Sequence, residues 1–538
     1  MIFALVPVFL ALAYPLARRA LRAYLLKRYT CIPDLEQLGT PSKGSKLRGT
    51  AVIAGGSVSG LFAARICADH FEKVIVVEPE AWTFTEEACQ PANFGTREVK
   101  SSTATYNTWN HKRSRVYQYS AVHVYQALLV RFARKLFPGF DEFAKSWDML
   151  IRPMDMNLCL SGHWLRPKNP AESIFTPRRN LEPLIRKLVR EGKPEIEFVH
   201  GTVSGYQLGT DGSVNSVNVR LGSGEGREFT DCALAVDCSG IAQIGVKLLS
   251  RAIPTFPPDL RQTYNADIVY STLEYPVPPN FDEELRRLNI PGSEKGDVQT
   301  AILTYNANPN IDNRIVALVR CDLNRVVFTT GGWAVDMPVT LEEVREFAKA
   351  VKNQDHIPDY FYKVIDLLEP VQHLGTVYEA RVANCYKVDY ARAANILPRN
   401  FVAIGDSSMR VNPRFGQGVT KCAIGAISLD SVLREMAPTS RNFGKTFFDR
   451  LTVRTSSVWD GTRFADYAAP TTMPVPGETR ETGQLMRWYN EQVVKLLDKI
   501  PDLADRMWVV QMFLAPPTDL FSPSIVAHVL WETVRSMA

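Results

Sequence analysis

The sequence predicts an α/β fold in which a parallel-sheet unit is split by an inserted antiparallel sheet and followed by helices. Three observations predict it. Residues 50–78 read as strand, glycine turn, helix, strand and acid. Residues 401–436 return to the strand–loop–helix order. Between them, from about 262 to 334, strand-like runs alternate well enough for an antiparallel sheet.

Met1 to Ala17 carries no charge. As a helix these residues span ~26 Å, marginal for a bilayer core of ~30 Å. Leu21, Ala23, Tyr24, Leu25 and Leu26 continue the apolar face, and the neighbouring arginines can snorkel. Residues 18–48 hold eight bases and two acids, a net +6 against +5 for the whole chain, so the body is close to neutral. That balance argues against a nucleic-acid surface. A basic cluster on the C-terminal side alone predicts a single-pass anchor with the body in the cytosol, the endoplasmic reticulum being the expected membrane. A cleaved signal peptide is the rival, because Ala11-Leu12-Ala13 resembles a cleavage site. Pro7 and Pro15 weaken the helix and leave an interfacial segment open. We assign 1–28 to the anchor and 29–48, with its Pro, Gly, Ser and Lys, to a linker.

In TAVIAGGSVSGLFAARICADHFEKVIVVE (50–78), Thr50 to Ala54 suits a buried parallel strand. Gly55, Ser57 and Gly60 fall on G-x-G-x-x-G spacing, with serine in the middle place. Gly55 permits the tight turn, a small residue at 57 lets backbone approach a pyrophosphate, and Gly60 lets helix and strand pack. The helix N-terminus offers free N–H groups to phosphates. Glu78, ending the next strand, can accept hydrogen bonds from an adenosine ribose. A plain βαβ turn needs no acid at this spacing. The unit therefore reads as a Rossmann-like dinucleotide site, with a plain βαβ turn as the alternative.

Residues 81–120 show no periodicity. Residues 121–136 predict an amphipathic helix, and 178–191 another, followed by a strand at 195–199. Turns at Thr210-Asp211-Gly212 and Gly222-Ser223-Gly224 mark a hairpin pair. A buried strand follows at 231–240, and a helix at 341–351. We place the first part of the dinucleotide unit at 49–255, a mixed β/α substrate domain at 256–385, the second part at 386–435 and a helical region at 436–538, where 511–530 is unusually apolar. Nine scattered cysteines with no C-x-x-C pair read as free thiols in a reducing compartment. The eight histidines are isolated, and no metal-ligand pattern appears.

FVAIGDSSMRVNPRFGQGVTKCAIGA (401–426) carries the second motif. Asp406 ends a buried strand, where a carboxylate can accept hydrogen bonds from a polyol such as the ribityl chain of FAD. Pro413 and Gly416-Gln417-Gly418 let backbone approach a flat ring. The next helix points its N-terminus at that ring, which suits an anionic reduced flavin. An ordinary strand–loop–helix with an acidic cap is the alternative.

With RSRVYQYSAVH (113–123), TPRRNLEPLIRKLV (176–189) and VDCSG (236–240), these motifs resemble the FAD-dependent aromatic hydroxylases, the para-hydroxybenzoate-hydroxylase-like flavin monooxygenases, over roughly residues 48–530. Within them the chain looks closest to the natural-product monooxygenase and epoxidase branch. The resemblance implies FAD, with Glu78 on the adenosine ribose, Arg178 of the R-x-x-L-E pattern beside the cofactor, Asp406 on the ribityl hydroxyls, and backbone at Gly418 and Val419 against the isoalloxazine. It also implies NADPH as reductant and oxygen insertion through a C4a-hydroperoxyflavin. With the anchor, it suggests a lipophilic secondary metabolite as substrate, epoxidised or hydroxylated. Ser57, Arg410 and Arg414 depart from the pattern, the arginines being large for residues beside a flavin. No catalytic side chain is assigned. His123 is a candidate base, and Arg113, Arg115 and Gln118 are candidates for shaping the site. A halogenase of the same fold is disfavoured, since no two tryptophans are separated by one residue as W-x-W-x-I-P requires. A reductase or dehydrogenase, and a non-catalytic nucleotide-binding membrane protein, stay open.

Overall fold

The computed structural model describes residues 2–42, 44–116, 118–154, 157–291, 302–353, 355–382 and 384–537, with 2–15 described by backbone alone. The chain opens on helix α1 (Ile2–Tyr29). Among the described residues no helix is long and apolar enough to cross a membrane. The expected span at 1–17 falls within α1, where residues 2–15 are described by backbone alone. Residues 31–38, within the expected linker, pack tightly: Cys31, Leu35 and Leu38 are buried in the main core.

Small and β-branched residues from Ala51 to Ala54 form the buried half of strand β1 (Leu47–Ala54). Gly55 turns the chain into α2 (Val58–His70), which is buried along its whole length, and strand β2 (Phe71–Glu78) returns beside β1. After a peripheral hairpin, Thr96–Lys100 against Thr105–Trp109, come α3 (Ala127–Leu136), the short strands β3 (Leu158–Leu160) and β4 (His163–Leu165), and α4 (Arg178–Gly192). Strands β5 (Glu197–Leu208), β6 (Val214–Leu221) and β7 (Gly226–Phe229) form the expected hairpins, and β8 (Cys232–Asp237) runs back into the centre. A second set follows: β9 (Ile268–Pro276), β10 (Leu303–Asn306), β11 (Arg314–Cys321), β12 (Arg325–Trp333) and β13 (Thr376–Arg381). The chain then re-enters the first sheet as β14 (Phe401–Ala403) and continues as α5 (Gly418–Glu435), α6 (Phe443–Asp466) and, last, α7 (Pro523–Met537).

The first sheet has the order β7-β6-β5-β2-β1-β8-β14. Its centre is parallel: Val77, Ala54, Asp237 and Ala403 stand side by side in one row across β2, β1, β8 and β14. The turns after these strands therefore open on the same edge, the usual place for a ligand in such sheets. The second sheet has the order β13-β9-β12-β11-β10-β3-β4. It is antiparallel apart from the parallel β3–β10 pair, so the expected wholly antiparallel sheet gains two early strands. Leu273, Phe328 and Leu318 face a core covered by helices Leu341–Lys349 and Asp359–Leu368. The opposite face, with Thr272, Thr329 and Val327, turns toward residues 118–126.

That segment corrects one expectation. The helix foreseen at 121–136 begins only at Ala127. Upstream, the Val122 N–H donates to Thr272 Oγ1 at 3.1 Å, and Gln126 Nε2 donates to the Phe415 carbonyl at 2.6 Å. Tertiary partners thus take up polar groups at 122 and 126, and the amphipathic pattern of 121–126 serves a strap between the second sheet and the loop before α5. The aperiodic 81–120 stretch hides the peripheral hairpin. Within the stretch of strand-like runs expected from about 262 to 334, residues 292–301 lie outside the described residues.

Candidate functional site

Gly55 has φ +108°, and a side chain there would stand 2.3 Å from the Cys238 carbonyl oxygen. A Cβ at Gly60 would stand 1.7 Å from the Gly55 carbonyl oxygen, so α2 seats directly on the turn. The Gly56 N–H donates to Glu78 Oε2 at 2.7 Å, tying the acid back to the turn. Glu78 Oε1 accepts from the Glu80 N–H at 3.0 Å and from Arg113 at 3.2 Å. A carboxylate has about four acceptor directions, so Glu78 keeps one for a ligand. Ser57 Oγ accepts from Arg178 Nη2 at 3.0 Å and donates to Glu182 Oε2 at 3.0 Å. Arg178 thus reaches the turn from a different helix, α4.

Beneath the turn lies a buried ionic hub. Arg113 meets Glu78, Glu80 and Glu182, the last at 3.0 Å. Glu182 also meets Arg178 at 3.2 Å and Arg186 at 2.9 Å. Burial alone would raise the Glu182 carboxyl, but Arg113, Arg178 and Arg186 outweigh it and hold it well below the usual range. Burial alone would lower the Arg113 guanidinium, and its three carboxylates hold it well above. Buried charges persist only when paired in this way. Arg178 is the more open member, its side chain 19% exposed. A helix N-terminus and a guanidinium therefore converge on one turn, a donor set suited to phosphate.

At the other end of the row, Gly405 has φ +76°, and a Cβ there would come within 3.0 Å of Ser59. The second motif thus abuts the first turn of α2. Asp406 Oδ1 accepts from Lys421 Nζ at 2.7 Å while its side chain stays 39% exposed. Desolvation would raise this carboxyl, but Lys421 prevails and keeps it below the usual range. The strands that lead to Glu78 and Asp406, β2 and β14, lie three strand spacings apart in one sheet, about 14 Å. Pro413 opens a short 3-10 turn, Pro413–Phe415, capped by Asn412, whose side-chain oxygen accepts from the Arg414 N–H at 3.0 Å. Gly416 has φ +64°, and a Cβ there would stand 2.4 Å from the Val124 carbonyl oxygen. Gly418 begins α5, and nothing lies within 4 Å of where its Cβ would be. Val419 is buried. Two buried acceptors beside this open backbone, Gln417 Oε1 and Gln126 Oε1, have no partner among the described residues.

The remaining candidates take separate roles. His123 sits in the strap and not on a helix. Its Nδ1 bonds the Ala121 carbonyl at 2.9 Å, and its ring stacks on Tyr125. Burial pushes its pKa down to about 4, so it is neutral at neutral pH. The Arg115 N–H donates to Glu80, and Gln118 Nε2 donates to Tyr270 Oη at 2.8 Å. Sequence reasoning missed Glu182, Arg186 and Lys421. A signal existed for the first two, since Arg178, Glu182 and Arg186 recur every four residues on one helix face. It also missed Asp466, which accepts from Asn412 Nδ2 at 2.7 Å, Tyr264 Oη at 2.8 Å and Trp333 Nε1 at 3.3 Å. Nothing in the sequence pairs Asp466 with the capping Asn412.

No protein-family model matches the chain. A curated relative, Protein Rv3254 of Mycobacterium tuberculosis, is 24% identical over 503 residues, 88% of this chain and 91% of its own. Among solved structures, the flavin-dependent brominase Bmp2 superposes with a TM-score of 0.53 at 12% identity, over 91% of this chain and 100% of that one. A flavoprotein/dehydrogenase from Cytophaga hutchinsonii gives 0.53 at 10% identity, over 89% and 96%. The Diels-Alderase PyrE3 gives 0.50 at 14% identity, over 87% and 80%. The chain has the fold of the FAD-dependent, aromatic-hydroxylase-like flavoproteins.

Proposed function

We propose that the protein is an FAD-dependent monooxygenase that inserts one oxygen atom of O2 into a lipophilic substrate, by epoxidation or hydroxylation, with NAD(P)H as reductant. One observation carries the reading. Two motifs far apart in sequence, one carrying Glu78 and one Asp406, open on the same edge of the parallel centre of one sheet. The residues present fit FAD. The α2 N-terminus with Arg178 suits the pyrophosphate, the half-open Asp406 suits the ribityl hydroxyls, and Gly418 with the unpartnered Gln417 and Gln126 oxygens suits a flat ring rich in polar edges. When bound, FAD supplies the activation of dioxygen.

The chain's own residues supply position and dryness. The strap 118–126 lies over the second sheet, where Val122 packs on Val319, Cys321 and Val327. This apolar wall keeps water from the space between sheet and α5 loop. Epoxidation needs no base, and a neutral His123 with its Nδ1 engaged is consistent with that. The proposal includes attachment through residues 1–28 to the endoplasmic reticulum, with the body in the cytosol.

The test is product analysis of purified protein given NADPH, labelled dioxygen and a panel of lipophilic polyenes and phenols. One labelled oxygen atom in product is expected. A reductase incorporates none, and a halogenase gives a halogenated product when bromide is supplied. Purified protein with no flavin and no NADPH oxidation rejects the proposal.

A further inference from the structure

We propose that Arg414, with Trp333 and Phe415, forms a subsite for a carboxylate on the substrate, so that the substrate is a lipophilic acid. This rests on the flavoenzyme reading, which places the substrate between the α5 loop and the second sheet.

Arg414 leaves the turn Pro413–Phe415 and crosses to that sheet. Its guanidinium carbon lies 4.7 Å from the Trp333 ring centre and 5.1 Å from that of Phe415. Trp333 ends β12 in an apolar cluster with Tyr264, Ile268 and Tyr270. A cation therefore stands against an aromatic wall.

What it lacks is an anion. Each of the seven buried arginines among the described residues ion-pairs with an Asp or Glu. Arg414 has no ion pair and no side-chain hydrogen bond to any described residue, and its Nε is buried and unpartnered. The acid that acts on it from a distance is Asp466, whose oxygens are already held by Asn412, Tyr264 and Trp333. Burial lowers the Arg414 pKa to about 10, which leaves it charged at neutral pH. Arg414 is half-buried, and a guanidinium with no carboxylate beside it is open to an anionic ligand. Its planar fork matches a carboxylate with two parallel N–H···O bonds. The aromatic and aliphatic surroundings suit an apolar body attached to that carboxylate. A neutral polyene would leave the charge unanswered.

The test uses the full chain as purified and two probe pairs: 4-phenylbutanoate with its methyl ester, and dodecanoate with its methyl ester. Affinity is read by calorimetry, and flavin content by absorbance. In the wild type each acid should bind at least tenfold more tightly than its ester. Arg414→Met should lose the preference while keeping its flavin, and Arg414→Lys, which retains charge but not the fork, should keep part of it. Equal affinity of acid and ester in the wild type, no binding of either acid, or a preference that survives in Arg414→Met overturns the subsite. Calorimetry needs no flavin signal, so protein purified without flavin counts against the cofactor reading and leaves the subsite to be judged on the acid–ester comparison.

Discussion

Asp322 is a single carboxyl whose surroundings set a pH dependence. It lies just past β11, 4% exposed, and accepts from Asn180 Nδ2 at 2.9 Å. Burial pushes its pKa up to about 7, and nearby Thr176 and Arg179 only partly oppose this. The unfolded value is about 3.9, so the folded state holds the proton more tightly. The stability this gives is fully present below about pH 4 and is lost as pH rises through about 7. Asp322→Asn keeps an acceptor for Asn180 and cannot ionise. We expect its thermal midpoint to match the wild type at pH 4 and exceed it at pH 8, by an amount equivalent to roughly 2–4 kcal/mol. A difference that is the same at every pH contradicts a raised carboxyl. Asp406 is the opposite case, ionised and facing a buried ammonium. Asp406→Ala removes both the partner of Lys421 and the acceptor on its open side, and should lower the flavin-to-protein absorbance ratio several-fold. A full flavin complement in the variant rejects a cofactor role for Asp406. Both motif acids stand out in the sequence, Glu78 because it ends an apolar strand and Asp406 because it follows Gly405 just past one. Arg113 was not legible as a hub, since its three carboxylates come from two separate segments, Glu78 with Glu80 and Glu182.

At the scale of elements, two glycines separate folding from binding. The Cβ of Gly60→Ala would sit 1.7 Å from backbone, on a contact that cannot yield without moving α2 off β1. We expect little soluble protein from it, or a loss of more than about 3 kcal/mol in denaturant titration. Gly418→Ala meets nothing within 4 Å among the described residues, and a Gly-to-Ala change at an unstrained position favours folding by roughly 0.4–1 kcal/mol. If a flat ring lies against that backbone, this variant is at least as stable without flavin yet binds flavin at least tenfold more weakly. Unchanged flavin affinity places the ring elsewhere. The same scale explains what the sequence concealed. Helix α4 matches its periodicity almost to the residue, because its apolar face packs on the core. The segment before α3 has equally good helical periodicity but forms no helix there, and the Val122 and Gln126 N–H groups donate to Thr272 and Thr420, distant in sequence. Periodicity reports which residues face a core. It does not report whether the hydrogen bonds run along the chain or across to another element.

At the scale of the whole molecule, the two ends of the chain meet. Arg22 on α1 pairs with Asp519 at 2.7 Å, four residues before α7 begins. Tyr29, Thr30 and Cys31 line a small cavity with Leu128, Ile424 and Arg454. The C-terminal part of α1 is thus fastened to the body, while Leu16, Leu21 and Tyr24 are exposed. Helix α7 also exposes a stripe, Leu530, Trp531, Val534 and Met537, at helical spacing. The proposed membrane attachment has a candidate at either end, and a truncation tells them apart. Removing residues 1–16 leaves the Arg22–Asp519 pair and the packing at 29–31 in place. If the N-terminal segment is the anchor, the shortened chain keeps its thermal midpoint and moves from the membrane fraction to the supernatant. Removing 1–28 should cost little more, because a pair as exposed as Arg22–Asp519 contributes about 0–1 kcal/mol. If the chain lacking 1–16 still sediments with membranes, and Trp531→Ser with Val534→Ser releases it, attachment belongs to α7. The anchor assignment for residues 1–28 then fails.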